Sequence, residues 1–152
     1  GKNPCETPEV WGVTMSDNVQ GEVNGIPTKQ GLAIHIALTL YALHKQGLTR
    51  SVSWSGVSFG SALAQLPSKG SIRFESVQQK FNKVALSKDI LVMSNHARML
   101  VRLLRGAEIG FDYAQFAKDL YNFQWPEGYS SVRLKWGSDF YTNKNDNGGN
   151  QK

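Results

Sequence analysis

The sequence contains a single cysteine, Cys5, among its 152 residues. An internal disulfide is therefore excluded, and we expect a reducing compartment, the cytoplasm. No apolar run approaches the roughly 20 residues that a membrane-spanning helix needs, so we expect no membrane partner. No signal peptide is visible. The chain starts at Gly1 rather than at a methionine, which predicts that the natural N-terminus lies outside this sequence.

Most motifs of catalysis are also missing. The sequence has no Walker-type phosphate loop, no glycine pattern for dinucleotides and no H-E-x-x-H. One segment, GVSFG at residues 56–60, matches the G-x-S-x-G elbow of hydrolases, but that motif requires a parallel sheet beneath it. At most one strand is predicted, so we interpret Ser58 as a helix N-cap and keep a hydrolase built on Ser58 as a distant alternative. We expect no enzyme, no small-molecule substrate and no cofactor.

The three histidines do not suggest a metal site. His35 and His44 are nine residues apart on one predicted helix and therefore point to opposite sides of it. His96 lies in the apolar arc of another helix, where a buried, hydrogen-bonded histidine is expected. No Cys/His cluster or carboxylate-rich loop accompanies them.

Apolar periodicity predicts an all-α protein, a compact helical bundle formed by two small helical lobes. We expect an irregular N-terminal arm at residues 1–30, the bundle at 31–141 and a disordered tail at 142–152, which has no apolar residue. The predicted helices cover residues 32–46, 58–66, 71–85, 88–105 and 112–124, with a last one after Pro126.

Some local features inside this bundle are less regular. Residues 48–57 include the alternating SVSWS, which we interpret as an exposed loop rather than a strand. Trp54 in that loop either stacks on a nucleic-acid base or folds back on the hydrophobic core, and we favour packing on the core. Ser87 is expected to cap the helix over 88–105, and Asp119 is expected on the solvent side of the helix over 112–124, with Tyr121 on its core side.

Positive charge is concentrated in the middle of the chain. Lysine and arginine total 17 against 12 acidic residues, a net charge of +5. Between Lys45 and Arg105 stand ten basic residues and only Glu75 and Asp89, so this segment carries +8 and the remainder −3. Concentrated positive charge attracts polyanions and accelerates their encounter.

The segment NHARMLVRLLR, residues 95–105, has an arginine face. Arg98, Arg102 and Arg105 fall within roughly a 60° arc of a helix, opposite an apolar side. No carboxylate lies within the segment to offset their repulsion. The arginines therefore pair with acids elsewhere in the fold, or form a solvated face, or bind an anionic partner.

A groove for a nucleic-acid backbone is the function that these charges favour. Lysine and arginine without a pattern of Asn and Gln indicate phosphate contacts, which position a protein without reading sequence. The alternative is a helical scaffold protein whose basic faces dock an acidic protein. The candidate nucleic-acid-binding residues are Lys45, Arg50, Arg73, Lys80, Lys83, Lys88, Arg98, Arg102 and Arg105.

Five segments together resemble the CasB family, the small subunit of the type I-E CRISPR surveillance complex Cascade. In order along residues 8–141 they are LTLYALHKQG, GVSFGSAL, VQQKFNKV, HARMLVRLLRGAEIGFDYAQFAKDLYNFQ and VRLKWGSDFY. The resemblance implies an all-helical, non-catalytic protein present in two copies. Its implied partners are the backbone and large subunits of Cascade, the second copy, the crRNA and both DNA strands. Its implied role is to help stabilise the R-loop and the displaced strand.

The resemblance transfers only part of the site. Family members often have two basic residues directly before the phenylalanine of VQQKF. In this sequence those two positions are Gln79 and Lys80, so only Lys80 matches the family pattern. Arg102 matches a basic position and Lys88 falls at or near another, whereas Ser138 and Ser61 replace residues that are often basic. We therefore expect weaker DNA binding than in other members. The first tens of residues of the family are missing here, which puts assembly into the complex in question.

Overall fold

The computed structural model describes residues 22–23 and 26–150, and side chains within residues 28–142. In this part of the chain, two strands of two residues each precede seven helices. The prediction of an all-α protein is therefore confirmed. None of these helices is long and apolar enough to cross a membrane. In chain order the elements are β1 (Glu22–Val23), β2 (Ile26–Pro27), α1 (Lys29–Lys45), α2 (Phe59–Ala64), α3 (Leu66–Lys69), α4 (Phe74–Leu86), α5 (Ile90–Ala107), α6 (Tyr113–Phe123) and α7 (Pro126–Asn150).

The described helices extend beyond both ends of the range 31–141 that was assigned to the bundle. Most of the predicted arm, residues 1–21 and 24–25, lies outside the described residues, while β1 and β2 form an antiparallel pair with Val23 opposite Ile26. Helix α1 already begins at Lys29, within the range assigned to the arm. At the other end, the backbone of α7 continues helically through residue 150, across the range that we expected to be a disordered tail.

Side-chain caps begin four of the helices. Thr28 caps α1, Ser58 caps α2, Asp89 caps α5 and Asp112 caps α6, each by accepting a backbone N–H of the first turn. The caps at Ser58 and Asp112 are as predicted. The cap predicted at Ser87 is wrong, because Ser87 ends α4 instead, where its hydroxyl donates to the carbonyl of Lys83.

Buried residues of all seven helices belong to one hydrophobic core, as expected of a compact helical bundle. Helix α7 packs on α2 and α6, while α1 packs on α6 and α5. Gly60 permits the close approach of α2 to α7, because a Cβ at that position would lie 2.2 Å from the carbonyl oxygen of Trp136. The second glycine of GVSFG therefore has a packing role. Trp136 is itself fully buried between Phe59 and Phe116.

The loop before α2 is more deeply packed than predicted. Val52 and Ser53 are buried, and Ser53 forms an isolated parallel bridge with Phe111. Trp54 packs against the core, as favoured from the sequence, and its Nε1–H donates to the carbonyl of Ser51 at 3.0 Å. Only the two ends of this loop are exposed. Its middle is held against the core because the backbone N–H of Phe111 donates to the carbonyl oxygen of Val52.

Candidate nucleic-acid interface

Helix α5 presents its arginines beside the buried stripe that anchors it to the core. Arg98 and Arg102 are exposed, whereas Arg105 is half-buried and its Nη1 donates to Oε1 of Gln46 at 3.1 Å. Neither Arg98 nor Arg102 contacts a carboxylate within the described residues. Pairing with acids elsewhere in the fold, one of the three alternatives from the sequence, is therefore not observed there.

The end of α1 and the segment that follows it supply two further cations, Lys45 and Arg50, on either side of Gln46, the partner of Arg105. Lys45 is the neighbour of Gln46, and its Nζ donates to the carbonyl oxygen of Arg50 at 2.7 Å. This contact folds the segment after α1 back on the helix and leaves the Arg50 side chain exposed. We call Lys45, Arg50, Arg98, Arg102 and Arg105 together the basic edge.

No described side-chain contact joins the basic residues of α4, or its N-cap Arg73, to the basic edge. Arg73 pairs instead with Glu75 at 3.5 Å, and both side chains are largely exposed, so this ion pair contributes little. Lys80 lies about 200° around α4 from Gln78, whose amide donates to the hydroxyl of Tyr141 on α7. Lys80 therefore points away from α7, and Lys83 is exposed nearby on the same helix.

Lys88 lies at the opposite end of α5 from Arg105. Fifteen residues separate Ile90 from Arg105, which is about 22 Å along a helix axis. The nine candidate residues therefore do not converge on one site. Lys88 instead lines an open groove of about 570 Å³, where the turn before α5 meets the turn between α6 and α7.

This cation–aromatic groove, lined in part by Lys88, Trp125, Tyr129 and Arg133, was missed by the sequence analysis. The guanidinium carbon of Arg133 lies 5.3 Å from the centroid of the Tyr129 ring, and Nζ of Lys29 lies 4.8 Å from that of Trp125. Such distances are typical of cation–π contacts. Only the four-residue spacing of Tyr129 and Arg133 was visible in the sequence, since Trp125 and Lys88 lie in turns.

A buried polar cluster around His44 is structural. The ring Nε2 donates to the carbonyl of Ile109 at 2.7 Å, so Nδ1 accepts from the hydroxyl of Tyr113 at 2.8 Å. Burial lowers the pKa of His44 to about 4, against the Ile109 hydrogen bond and with a smaller contribution from the charge of Arg105. Burial also raises the pKa of Tyr113, with Tyr41 adding to the shift.

The other candidate chemistry has equally structural explanations. His35 is exposed on the opposite side of α1 from His44, as predicted, whereas His96 is half-buried rather than buried. The hydroxyl of Ser58 accepts from the backbone N–H of Ser61 and donates to its side chain, as an N-cap does. Among the described residues, no group of three or more His, Cys, Asp or Glu residues is arranged to hold a metal ion.

Comparison with known proteins gives two similarities. The model of the family described as CRISPR-associated protein Cse2 matches residues 1–141. The crystal structure of CasB from Thermobifida fusca is 28% identical with a TM-score of 0.69, and the match covers 90% of this chain and 83% of that one. No curated relative matches the chain.

Proposed function

We propose, since the chain belongs to the Cse2 family of CRISPR-associated proteins, that it serves in Cascade as a subunit that holds a nucleic-acid backbone. Members of this family are structural small subunits of Cascade, the complex that acts in CRISPR defence. The finer proposal is that this subunit is non-catalytic and stabilises the R-loop by contacts to the displaced DNA strand. Its partners are then the backbone and large subunits, a second copy of itself, the crRNA and the two DNA strands.

The observation that carries the proposal is the state of the arginines on α5. Arg98 and Arg102 are exposed and have no carboxylate partner in the described part of the chain. A guanidinium is always charged and matches the oxygens of a phosphate in a bidentate arrangement. From Arg98 to Arg105 the edge extends about 10 Å along the helix, which is enough to follow successive phosphates of one strand.

Modest contacts of this kind are sufficient for the proposed role. R-loop formation is a near-balanced exchange of one duplex for another, so backbone contacts to the displaced strand shift it. The remaining basic residues, Arg73, Lys80, Lys83 and Lys88, extend the positive field beyond the basic edge without direct contact to it. Such a field accelerates encounter even where no specific contact forms.

The test is R-loop stability in Cascade assembled with this chain as its small subunit. The variant Arg98→Ala/Arg102→Ala/Arg105→Ala is expected to shorten the R-loop lifetime without blocking assembly. The variant with lysine at the same three positions keeps the charge and is expected to retain most of the lifetime. Normal R-loop stability in the alanine variant would contradict the proposal.

The same assay separates the alternative, a scaffold that docks an acidic protein. In that case the alanine variant fails to join the complex, and a single-stranded oligonucleotide does not compete with the docked protein. If the basic edge binds strands, assembly is intact and an added oligonucleotide displaces the non-target strand from it.

A further inference from the structure

We propose that the cation–aromatic groove is a second nucleic-acid site, which holds one nucleotide of a single strand by stacking its base on Trp125 and binding its phosphate with Lys88 and Arg133. The inference rests on the proposed function for its ligand class. It concerns a different place, since the groove lies at the end of α5 remote from Arg105.

The charge of the groove favours an anion. Lys88 and Arg133 reach it from two separate segments, the turn before α5 and the second turn of α7. Neither makes an ion pair within the described residues, and no Asp or Glu is among the described groove-lining residues. Glu127, the acid of the first turn of α7, lies more than 100° around the helix from Tyr129 and Arg133 and so faces away.

Trp125 and Tyr129, two of the aromatic side chains that line the groove, differ in how much of each ring is already covered. Tyr129 donates its hydroxyl to the carbonyl of Ala85, packs edge-on against Phe123 and has Arg133 over its ring. Trp125 is 45% exposed, although it is a large apolar side chain at a turn. Nζ of Lys29 lies over this ring and Tyr121 packs edge-on against it, so the stacking surface is the part of the indole that these two side chains leave uncovered. Tyr129 meanwhile holds the guanidinium of Arg133 in place.

These features together fit a nucleotide better than an acidic peptide. The volume of about 570 Å³ lies within the range of roughly 300–1,000 Å³ of small-molecule sites. A carboxylate-bearing peptide would use the two cations but would make no stacking contact with the exposed part of the indole. A base in a duplex is already stacked on its neighbours, so the site selects single strands.

The experiment compares binding of a short single-stranded oligonucleotide and of an abasic strand of equal length to the full chain. Trp125→Ala is expected to weaken binding of the normal strand about fivefold to a hundredfold and to leave the abasic strand unaffected. Trp125→Phe is expected to recover part of the loss. Lys88→Ala/Arg133→Ala is expected to weaken both strands equally, and circular dichroism checks folding in each variant.

Three outcomes overturn the proposal. Equal losses of normal and abasic strands in Trp125→Ala indicate a structural effect of that residue. Displacement by a polyglutamate peptide, with no effect of Trp125→Ala, indicates an acidic peptide. No binding by the wild type also overturns it, because this chain alone supplies the described lining of the groove. A separate result bears on the proposed function. If Arg98→Ala/Arg102→Ala/Arg105→Ala leaves R-loop stability unchanged, the proposed function is contradicted, whereas the comparison of normal and abasic strands still tests the groove.

Discussion

The indole N–H of Trp136 donates a hydrogen bond of 3.0 Å to Oδ2 of Asp119, and both side chains are buried. The same carboxylate accepts from the amide of Gln115 and from Nζ of Lys135. A buried carboxylate is tolerated because these donors replace its hydration. Helix α7 is thereby fixed on α6 through an interaction that neither helix reveals by itself.

Removal of this carboxylate should destabilise the fold. Asp119→Ala leaves the indole N–H of Trp136 buried without an acceptor, and we expect a loss of about 2–3 kcal/mol in the free energy of unfolding. Asp119→Asn keeps an acceptor and should lose about 1 kcal/mol. Urea unfolding measures both, with the exposed Lys118→Ala as a control. Equal stability of Asp119→Ala and this control would refute the role of the carboxylate.

The buried imidazole of His44 predicts a dependence of stability on pH. Its pKa falls to about 4 in the folded protein, so between pH 6.5 and 4 the unfolded state binds a proton that the folded state does not. Stability is therefore lost as pH falls through this window, by about 3 kcal/mol at most.

The variant His44→Gln isolates this effect, because glutamine does not titrate. We expect its unfolding free energy to change less between pH 7 and 4.5 than that of the wild type, although it is lower at neutral pH. His35→Gln, on the exposed side of α1, should retain the full pH dependence. An unchanged pH dependence in His44→Gln would mean that other groups dominate acid unfolding.

The contact of Gly60 with Trp136 predicts a steric effect. Gly60→Ala places a methyl group against the backbone of α7, and we expect a loss of about 2–3 kcal/mol. Gly106→Ala in α5 is the matched control, since a Cβ there meets nothing within 4 Å. That control should stabilise the helix by about 0.5–1 kcal/mol. Similar thermal shifts of the two variants would argue against close packing at Gly60.

The two kinds of arginine on α5 should differ in salt dependence. Arg102→Ala is expected to lower the slope of log affinity against log salt for single-stranded DNA by about 0.7, the value for one phosphate contact. Arg105→Ala should change the slope less, because Arg105 is half-buried and already donates to Gln46. Lys118→Ala controls for the loss of one charge. A slope change in Lys118→Ala as large as in Arg102→Ala would remove the distinction.

The helices could be predicted from the sequence because their apolar faces and caps are local signals. Ser58 and Asp112 are examples, since each acts within one turn. Asp119 and Tyr121 were assigned to the wrong sides of α6, because periodicity places both near the border and Trp136, which draws Asp119 inward, is 17 residues away.

The candidate site shows the same limit. Charge counting finds the arginines of α5 and the +8 segment without a structure. It cannot find the cation–aromatic groove, because Lys88 and Arg133 are 45 residues apart in sequence and Trp125 lies in a turn without periodicity. Their proximity arises only when α7 packs over the turn before α5.

The hydrogen bond between His44 and Tyr113 spans 69 residues of sequence and joins the first helix of the bundle to the sixth. Contacts of such separation require closure of a long loop, which slows folding relative to bundles whose neighbours follow one another in sequence. During synthesis, the buried imidazole of α1 lacks both of its hydrogen-bond partners until Ile109 and Tyr113 have left the ribosome. The first hundred residues therefore emerge as an incomplete core, and the bundle closes only when its last third is made.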